Sequence, residues 1–221
     1  MPDAPNIQQL FPDSVFTECC RIEDKHYALH GEETLAVKKV VTGRRKEFGA
    51  GRMCARSALE SLGIRGCVLA RNYDGSTAWP PGIVGAISHS DSWCGAAVAR
   101  QSDYFGVGFD IETATRVTRS IAKRVLTNRE MDWVGRQAED ESKKWFTLIF
   151  SAKESIYKCL PSLVRKGIRF RDAEIILYAD DFSFEARLTD KITSRIPSFL
   201  SPRGRYLLYG GEVFTGIVLV K

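Results

Sequence analysis

The chain reads as an α+β fold, and three observations carry that reading. Two long stretches, about 42–62 and 141–160, repeat their apolar residues at helical spacing. Several shorter runs alternate apolar and polar residues as half-buried strands do, and the last two are joined by Gly210-Gly211, a hairpin signal. Helices and strands do not follow one another in a regular β-α-β succession, so antiparallel pairing is expected.

Taken in order, Leu10-Phe11-Pro12 and Val15-Phe16 suggest a buried N-terminal segment and a short strand. His26 and His30 lie in polar stretches without a partner nearby in sequence. From Lys38 to Arg56 seven cations (Lys38, Lys39, Arg44, Arg45, Lys46, Arg52 and Arg56) crowd into nineteen positions with one acid, Glu47. Phe48, Ala55, Leu59 and Leu62 recur among them at helical spacing, with Thr42 as the expected N-cap and Gly63 as the C′ stop. Such a run is either a solvated basic face or a phosphate grip, and the shortage of acids favours the grip.

Val68-Leu69-Ala70-Arg71 reads as a strand, followed by a loop through Asp74-Gly75 and a turn at Trp79-Pro80-Pro81-Gly82. The run from Ile83 to Ser90 is a strand ending in Ser88 and His89. Neighbours on a strand point to opposite faces, and no G-x-S-x-G elbow is present, so these two suit donors to a phosphate better than a nucleophile and its base. Cys94 to Ala99 is a small, apolar strand leading through a turn at Gln101-Ser102-Asp103 into Gly106-Val107-Gly108-Phe109-Asp110-Ile111-Glu112. On that strand Asp110 and Glu112 share one face while Phe109 and Ile111 enter the core. The pair is either two solvated acids or an oxygen-ligand site for a hard cation, Mg²⁺ or Mn²⁺.

Arg116 to Leu126 has the pattern of a basic amphipathic helix, and Thr127-Asn128-Arg129-Glu130 that of a capping box. In the helix expected at 141–160, Trp145, Leu148, Ile149, Ala152, Ile156, Cys159 and Leu160 form the buried side, and Lys144, Thr147, Ser151, Glu154 and Lys158 a polar stripe. Glu154 and Lys158 have the spacing of an i,i+4 ion pair, and Pro161 ends the helix. Strands follow over 174–178, 182–188 and the closing hairpin 206–220.

Composition bounds the rest. The 221 residues are 44% hydrophobic and 27% charged, the usual proportions of a globular protein with a real core. No apolar run approaches the roughly 20 residues of a membrane span, and the N-terminus lacks a signal-peptide pattern. The six cysteines have no metal-ligand spacing and read as reduced thiols, so a cytoplasmic location is expected. Net charge +5 suits an anionic ligand without requiring nucleic acid. A nucleic-acid binder working through residues 38–56 would leave Asp110, Glu112 and Glu154 unexplained.

Four stretches, spanning about residues 40–160, together resemble the 4′-phosphopantetheinyl transferases of the surfactin type, in particular the enterobactin-synthetase component D branch. They are Arg44-Arg45-Lys46-Glu47-Phe48 with Arg52-Met53-Cys54-Ala55-Arg56; Trp79-Pro80-Pro81-Gly82 through Ser88-His89-Ser90; Gly108-Phe109-Asp110-Ile111-Glu112; and Phe150-Ser151-Ala152-Lys153-Glu154-Ser155-Ile156-Tyr157-Lys158. The resemblance implies two similar α/β halves related by a pseudo-twofold, residues 1–105 and 106–221, with coenzyme A in the cleft between them. The first half would grip the phosphates; the second would carry the metal site, the catalytic helix and the docking surface for a carrier protein. The implied reaction moves phosphopantetheine from coenzyme A to a serine of an acyl or peptidyl carrier protein and releases 3′,5′-ADP.

The resemblance also implies roles. Asp110 and Glu112 hold Mg²⁺ against the pyrophosphate, and Glu154 is either a third metal ligand or the base. Lys158 neutralises the phosphate and the leaving oxygen. Lys153, Arg44, Arg52, Arg71, Ser88 and His89 contact the nucleotide phosphates. Carriers of this kind are acidic around their serine, so Arg116, Arg119, Lys123 and Arg124 are expected to dock them. A pseudo-dimer in one chain implies a monomer, and the branch leans toward siderophore or other secondary-metabolite assembly. The alternative weighed is a Mg²⁺-dependent nucleotide phosphodiesterase, which would release phosphopantetheine without a carrier.

Overall fold

The computed structural model describes residues 4–37, 42–196 and 202–221. Lys38, Lys39 and the expected capping side chain of Thr42 lie outside what is described. In chain order the elements are β1 (Phe16–Arg21), α1 (Glu33–Ala36), α2 (Thr42–Ser61), β2 (Ile83–His89), β3 (Trp93–Arg100), β4 (Tyr104–Thr113), α3 (Arg119–Val125), α4 (Asn128–Val134), α5 (Ser142–Cys159), α6 (Ser162–Arg165), β5 (Ala173–Tyr178), β6 (Ser183–Leu188), α7 (Asp190–Thr193), β7 (Arg203–Tyr209) and β8 (Glu212–Val220). The described strands form two antiparallel sheets, β1-β3-β2 and β4-β8-β7-β6-β5.

Strand periodicity explains how these elements layer. Along β3, Cys94, Ala96 and Val98 face α2, where Ala50, Cys54, Ala58 and Leu59 cover them. The alternate residues Ala97 and Ala99 face the second sheet and meet a cluster with Val107, Phe109 and Ile111 of β4 and Phe214 of β8. The far side of β4 lies under α5. The result is helix, sheet, sheet, helix, with β4 in the centre.

Local signals account for the boundaries. Helix α2 ends in a Schellman arrangement at Gly63 (φ 86°), with Ile64 N–H donating to Leu59 C=O at 2.8 Å. The capping box of α4 forms as its sequence demands, between Thr127 and Glu130. The hairpin between β7 and β8 turns on Gly210 and Gly211, both at positive φ.

Two glycines of β4 set the distance of α5. A Cβ on Gly106 would lie 1.8 Å from the Cys159 carbonyl oxygen, and one on Gly108 would lie 1.9 Å from that of Ser155. Only glycine admits the helix so closely. Ser151, one turn earlier on α5, is thereby brought against Asp110, two residues further along the strand.

Two expectations need correction. Residues 68–70 form no strand; the segment has one isolated bridge, Arg71 with Thr77. The Leu69 N–H and C=O are taken by side chains, Glu33 and Arg52, so no ladder is needed. Lys153, expected on the phosphates, is buried, with its ammonium 2.7 Å from Glu130 and also donating to the Val125 and Phe170 carbonyls. Glu130 in turn accepts the Ile175 N–H at 2.6 Å, so this pair ties α4, α5 and the start of β5 together. Removing one member of a buried pair leaves the other charge uncompensated. Lys153→Met should therefore cost about 3–5 kcal/mol in denaturant unfolding, and a loss below about 1 kcal/mol would show that the pair contributes little.

Candidate active-site cleft

A cleft of about 710 Å³ opens where β2 and α2 of the first sheet meet β4 and α5. At its floor is Asp110, buried at 2% exposure and surrounded by three donors. Ser88 Oγ donates to it at 2.9 Å, Ser151 Oγ at 2.8 Å and Lys158 Nζ at 2.7 Å. Ser88 also accepts from Lys158 at 2.9 Å and from the Ile111 N–H at 3.2 Å, which joins the end of β2 to β4. Thr215, opposite Asp110 on β8, lies 2.9 Å from Ser151 and fixes its hydroxyl.

Lys158 thus pairs with Asp110, 48 positions away, and not with Glu154 one turn earlier on its own helix. Glu112 shares the Asp110 face of β4 and pairs with Arg116 at 3.0 Å. Burial and the neighbouring Asp110 charge push the Glu112 carboxyl up to about 7. The same two causes, burial first, raise Glu154.

The opposite wall carries the cations. Arg52 is buried at 5% exposure, donates to Leu69 C=O at 2.8 Å and Thr77 Oγ1 at 3.1 Å, and lies 4.3 Å over the Phe48 ring. Burial lowers it to about 10, which leaves it a cation at neutral pH. Arg44 and Arg71 are exposed and line the same cleft. His89, at the end of β2, has its Nδ1 3.7 Å from Glu47. Ser88 and His89 do point apart, one buried and one exposed.

Of the residues expected from the sequence, Arg44, Arg52, Arg71, Ser88, His89, Asp110, Glu112, Glu154 and Lys158 line this one cleft. Lys153 does not. Arg116, expected on a docking surface, lies in the cleft against Glu112. Arg119, Lys123 and Arg124 are exposed on α3. Arg56 is held by Glu33 at 2.8 Å and takes no part in the cleft lining. Sequence reasoning did not assign the Asp110 contact to Ser151, although its place in the Glu154–Lys158 stripe was the available signal.

The donor set is oxygen-rich, which suits a hard cation. Among the described residues, no three His, Cys, Asp or Glu side chains are grouped closely enough to hold a metal by themselves. The carboxylates that line the cleft fit an ion that takes part of its coordination from water and substrate phosphates. The penalty that Asp110 puts on both Glu112 and Glu154, and Glu154 on Glu112, is the kind that such a cation relieves. A second cleft of about 440 Å³ continues past Arg71, Glu154 and Lys158 toward Tyr157 and Trp79. No described helix is long and apolar enough to cross a membrane, and all six cysteines are free thiols.

Comparison with known proteins gives this arrangement a family. Residues 32–99 match the model of the 4′-phosphopantetheinyl transferase N-terminal domain, and residues 106–207 that of the 4′-phosphopantetheinyl transferase superfamily. The chain is 35% identical to 4′-phosphopantetheinyl transferase Svp of Streptomyces mobaraensis over 167 residues, 75% of this chain and 68% of that one. It is 31% identical to 4′-phosphopantetheinyl transferase PptT of Mycobacterium tuberculosis over 201 residues, 85% of each. It is also 33% identical to enterobactin synthase component D of Escherichia coli over 135 residues, 60% of this chain and 62% of that one. With both parts of the chain matched in order, and with a relative aligned over most of both lengths, the protein belongs to the 4′-phosphopantetheinyl transferase superfamily.

Proposed function

We propose that this protein transfers the 4′-phosphopantetheine group of coenzyme A to a serine of an acyl or peptidyl carrier protein, converting apo to holo carrier. The observation that supports it most is the cleft in which Lys158 and two hydroxyls converge on Asp110 while Glu112, Glu154 and four arginines line the same walls. In the reaction the serine oxygen bonds to the phosphorus that bears pantetheine. The bond from that phosphorus to the bridging oxygen breaks, and 3′,5′-ADP leaves. Such transfers depend mainly on positioning and charge stabilisation.

Arg44, Arg52, Arg71 and His89 hold the nucleotide phosphates, with Arg52 fixed in place by Leu69 and Thr77. Asp110 and Glu112 would hold Mg²⁺ or Mn²⁺, which supplies positive charge to the pyrophosphate when bound. Lys158, already anchored on Asp110 and Ser88, sets its ammonium on the leaving phosphate oxygen. Glu154 takes the proton of the carrier serine at its carboxylate, and its raised pKa brings it nearer to the strength a base needs at neutral pH. The exposed cations Arg119, Lys123 and Arg124 of α3 meet the acidic surface of the carrier. The protein acts as a monomer whose halves, residues 1–105 and 106–221, each supply one wall. Similarity to enterobactin synthase component D favours carriers of siderophore or related non-ribosomal peptide and polyketide assembly. The relatives do not support the phosphodiesterase alternative.

Release of 3′,5′-ADP tests the reading directly. It should require apo carrier and fail with a carrier whose serine is replaced by alanine. Release at full rate without carrier would indicate a phosphodiesterase instead.

The carboxylates predict a pH signature in metal-free protein. Burial and the Asp110 charge push the Glu112 carboxyl up to about 7 in the fold from its ordinary 4.5, so the fold holds a proton that the unfolded chain has released. Its contribution is intact below about 4.5 and is lost as pH rises through about 7, a penalty of roughly 3 kcal/mol for a shift of this size. Thermal unfolding with chelator present should therefore drop from pH 5 to pH 8. Added Mg²⁺ should restore the midpoint at pH 8 and leave it unchanged at pH 5. An equal effect of Mg²⁺ at both pH values would count against the carboxylate site.

A further inference from the structure

One buried carboxylate outside the reacting centre links several walls of the cleft. Glu33, on α1, is fully buried, and among the described residues its carboxylate contacts three separate parts of the first half. Its Oε1 accepts the Leu69 N–H at 2.9 Å, its Oε2 accepts the His30 N–H at 3.0 Å, and both oxygens lie 2.8 Å from a guanidinium nitrogen of Arg56 on α2. Arg56 is held from the other side by the Ala28 carbonyl at 2.8 Å. Leu69 itself is fully buried, and its carbonyl is taken by Arg52. A backbone unit buried without a ladder has no other partner to fall back on, so the path of the chain from Leu69 onward depends on these two side chains.

That path leads to the nucleotide wall. Arg71 follows two residues later and bridges to Thr77, whose hydroxyl accepts from Arg52. Ala36 and Val37, at the end of α1, line the same cleft as Arg71, Thr77 and Arg52. Glu33 therefore sets α1, α2 and the 69–77 loop relative to one another, while Asp110, Glu154 and Lys158 stand on other elements. We propose that Glu33 is a positioning residue for coenzyme A: it places Arg71 and the 69–77 loop against Arg52 and does not act on the transfer step. The inference rests on the transferase reading above.

The test compares Glu33→Gln, Arg71→Ala, their double variant and the milder Arg56→Lys, with coenzyme A varied at saturating apo carrier. Removing uniform binding raises KM and spares kcat. Glu33→Gln and Arg71→Ala should each raise KM for coenzyme A by about tenfold and change kcat by less than about threefold. The double variant should be no worse than the poorer single variant, because both act through one side chain. Arg56→Lys, which keeps a cation beside Glu33, should shift KM by about threefold in the same direction and should likewise not add to Arg71→Ala. Multiplying effects, an unchanged KM in folded Glu33→Gln, or an equal loss in kcat overturns the proposal. If Glu33→Gln does not fold, the Arg56→Lys pair of measurements decides by the same criteria. Absence of wild-type turnover would instead sink the transferase reading; calorimetric binding of 3′,5′-ADP to the same variants then tests the positioning on its own.

Discussion

Asp110→Ala is expected to lower turnover by about 10³-fold or more while the protein stays folded, because one side chain organises three others. Without its carboxylate, Lys158 loses its ion pair, and Ser88 and Ser151 lose their common acceptor. The backbone consequences are small. Ser88 still accepts the Ile111 N–H, and Ser151 still contacts Thr215. Asp110→Asn separates charge from shape: the amide oxygen remains an acceptor but carries no negative charge to offset a divalent ion or an ammonium. Its turnover should fall by about 10²–10³. Steady-state rates together with circular dichroism would check both variants, and a folded Asp110→Asn protein with near-normal kcat would remove Asp110 from the centre of the account.

Glu154→Gln is the second large effect. Loss of a general base lowers kcat by about 10²–10⁴-fold, and KM for coenzyme A should change little because the phosphate contacts lie elsewhere. The pH profile carries the sharper signature. Glu154 must be ionised to accept the serine proton, and burial with the Asp110 charge raises its pKa, so wild-type activity should climb with pH through that raised value. The residual activity of Glu154→Gln should lack this limb. Rescue of the variant by high Mg²⁺ would assign Glu154 to the metal, in place of the proton.

What the sequence made legible was local. The alternation of Gly106, Gly108, Asp110 and Glu112 against Val107, Phe109 and Ile111 is carried by strand period alone, and the two faces fall as that period requires. The α4 capping box, the Gly63 stop and the Gly210-Gly211 hairpin are likewise short-range chemistry. What the sequence left open or misplaced depends on long-range partners. The spacing of Glu154 and Lys158 suggests an ion pair, but the close approach of α5 to β4 offers Lys158 the deeper carboxylate of Asp110. Lys153 lies beside Glu154 in sequence, yet Glu130, 23 positions away, holds it in the core. The basic crowd of residues 44–56 divides in the same way: Arg56 goes to Glu33 and Lys46 to Asp24, while Arg44 remains exposed at the cleft. Composition counts the cations there, but only the fold says which of them already have partners.

The most direct test is the intact mass of an apo carrier protein after incubation with coenzyme A, Mg²⁺ and this protein. The account predicts that the carrier gains one phosphopantetheine on its serine, with one 3′,5′-ADP released for each, and that the serine-to-alanine carrier gains nothing. An unchanged mass across carriers from siderophore, polyketide and fatty-acid pathways, with 3′,5′-ADP still released, would contradict it.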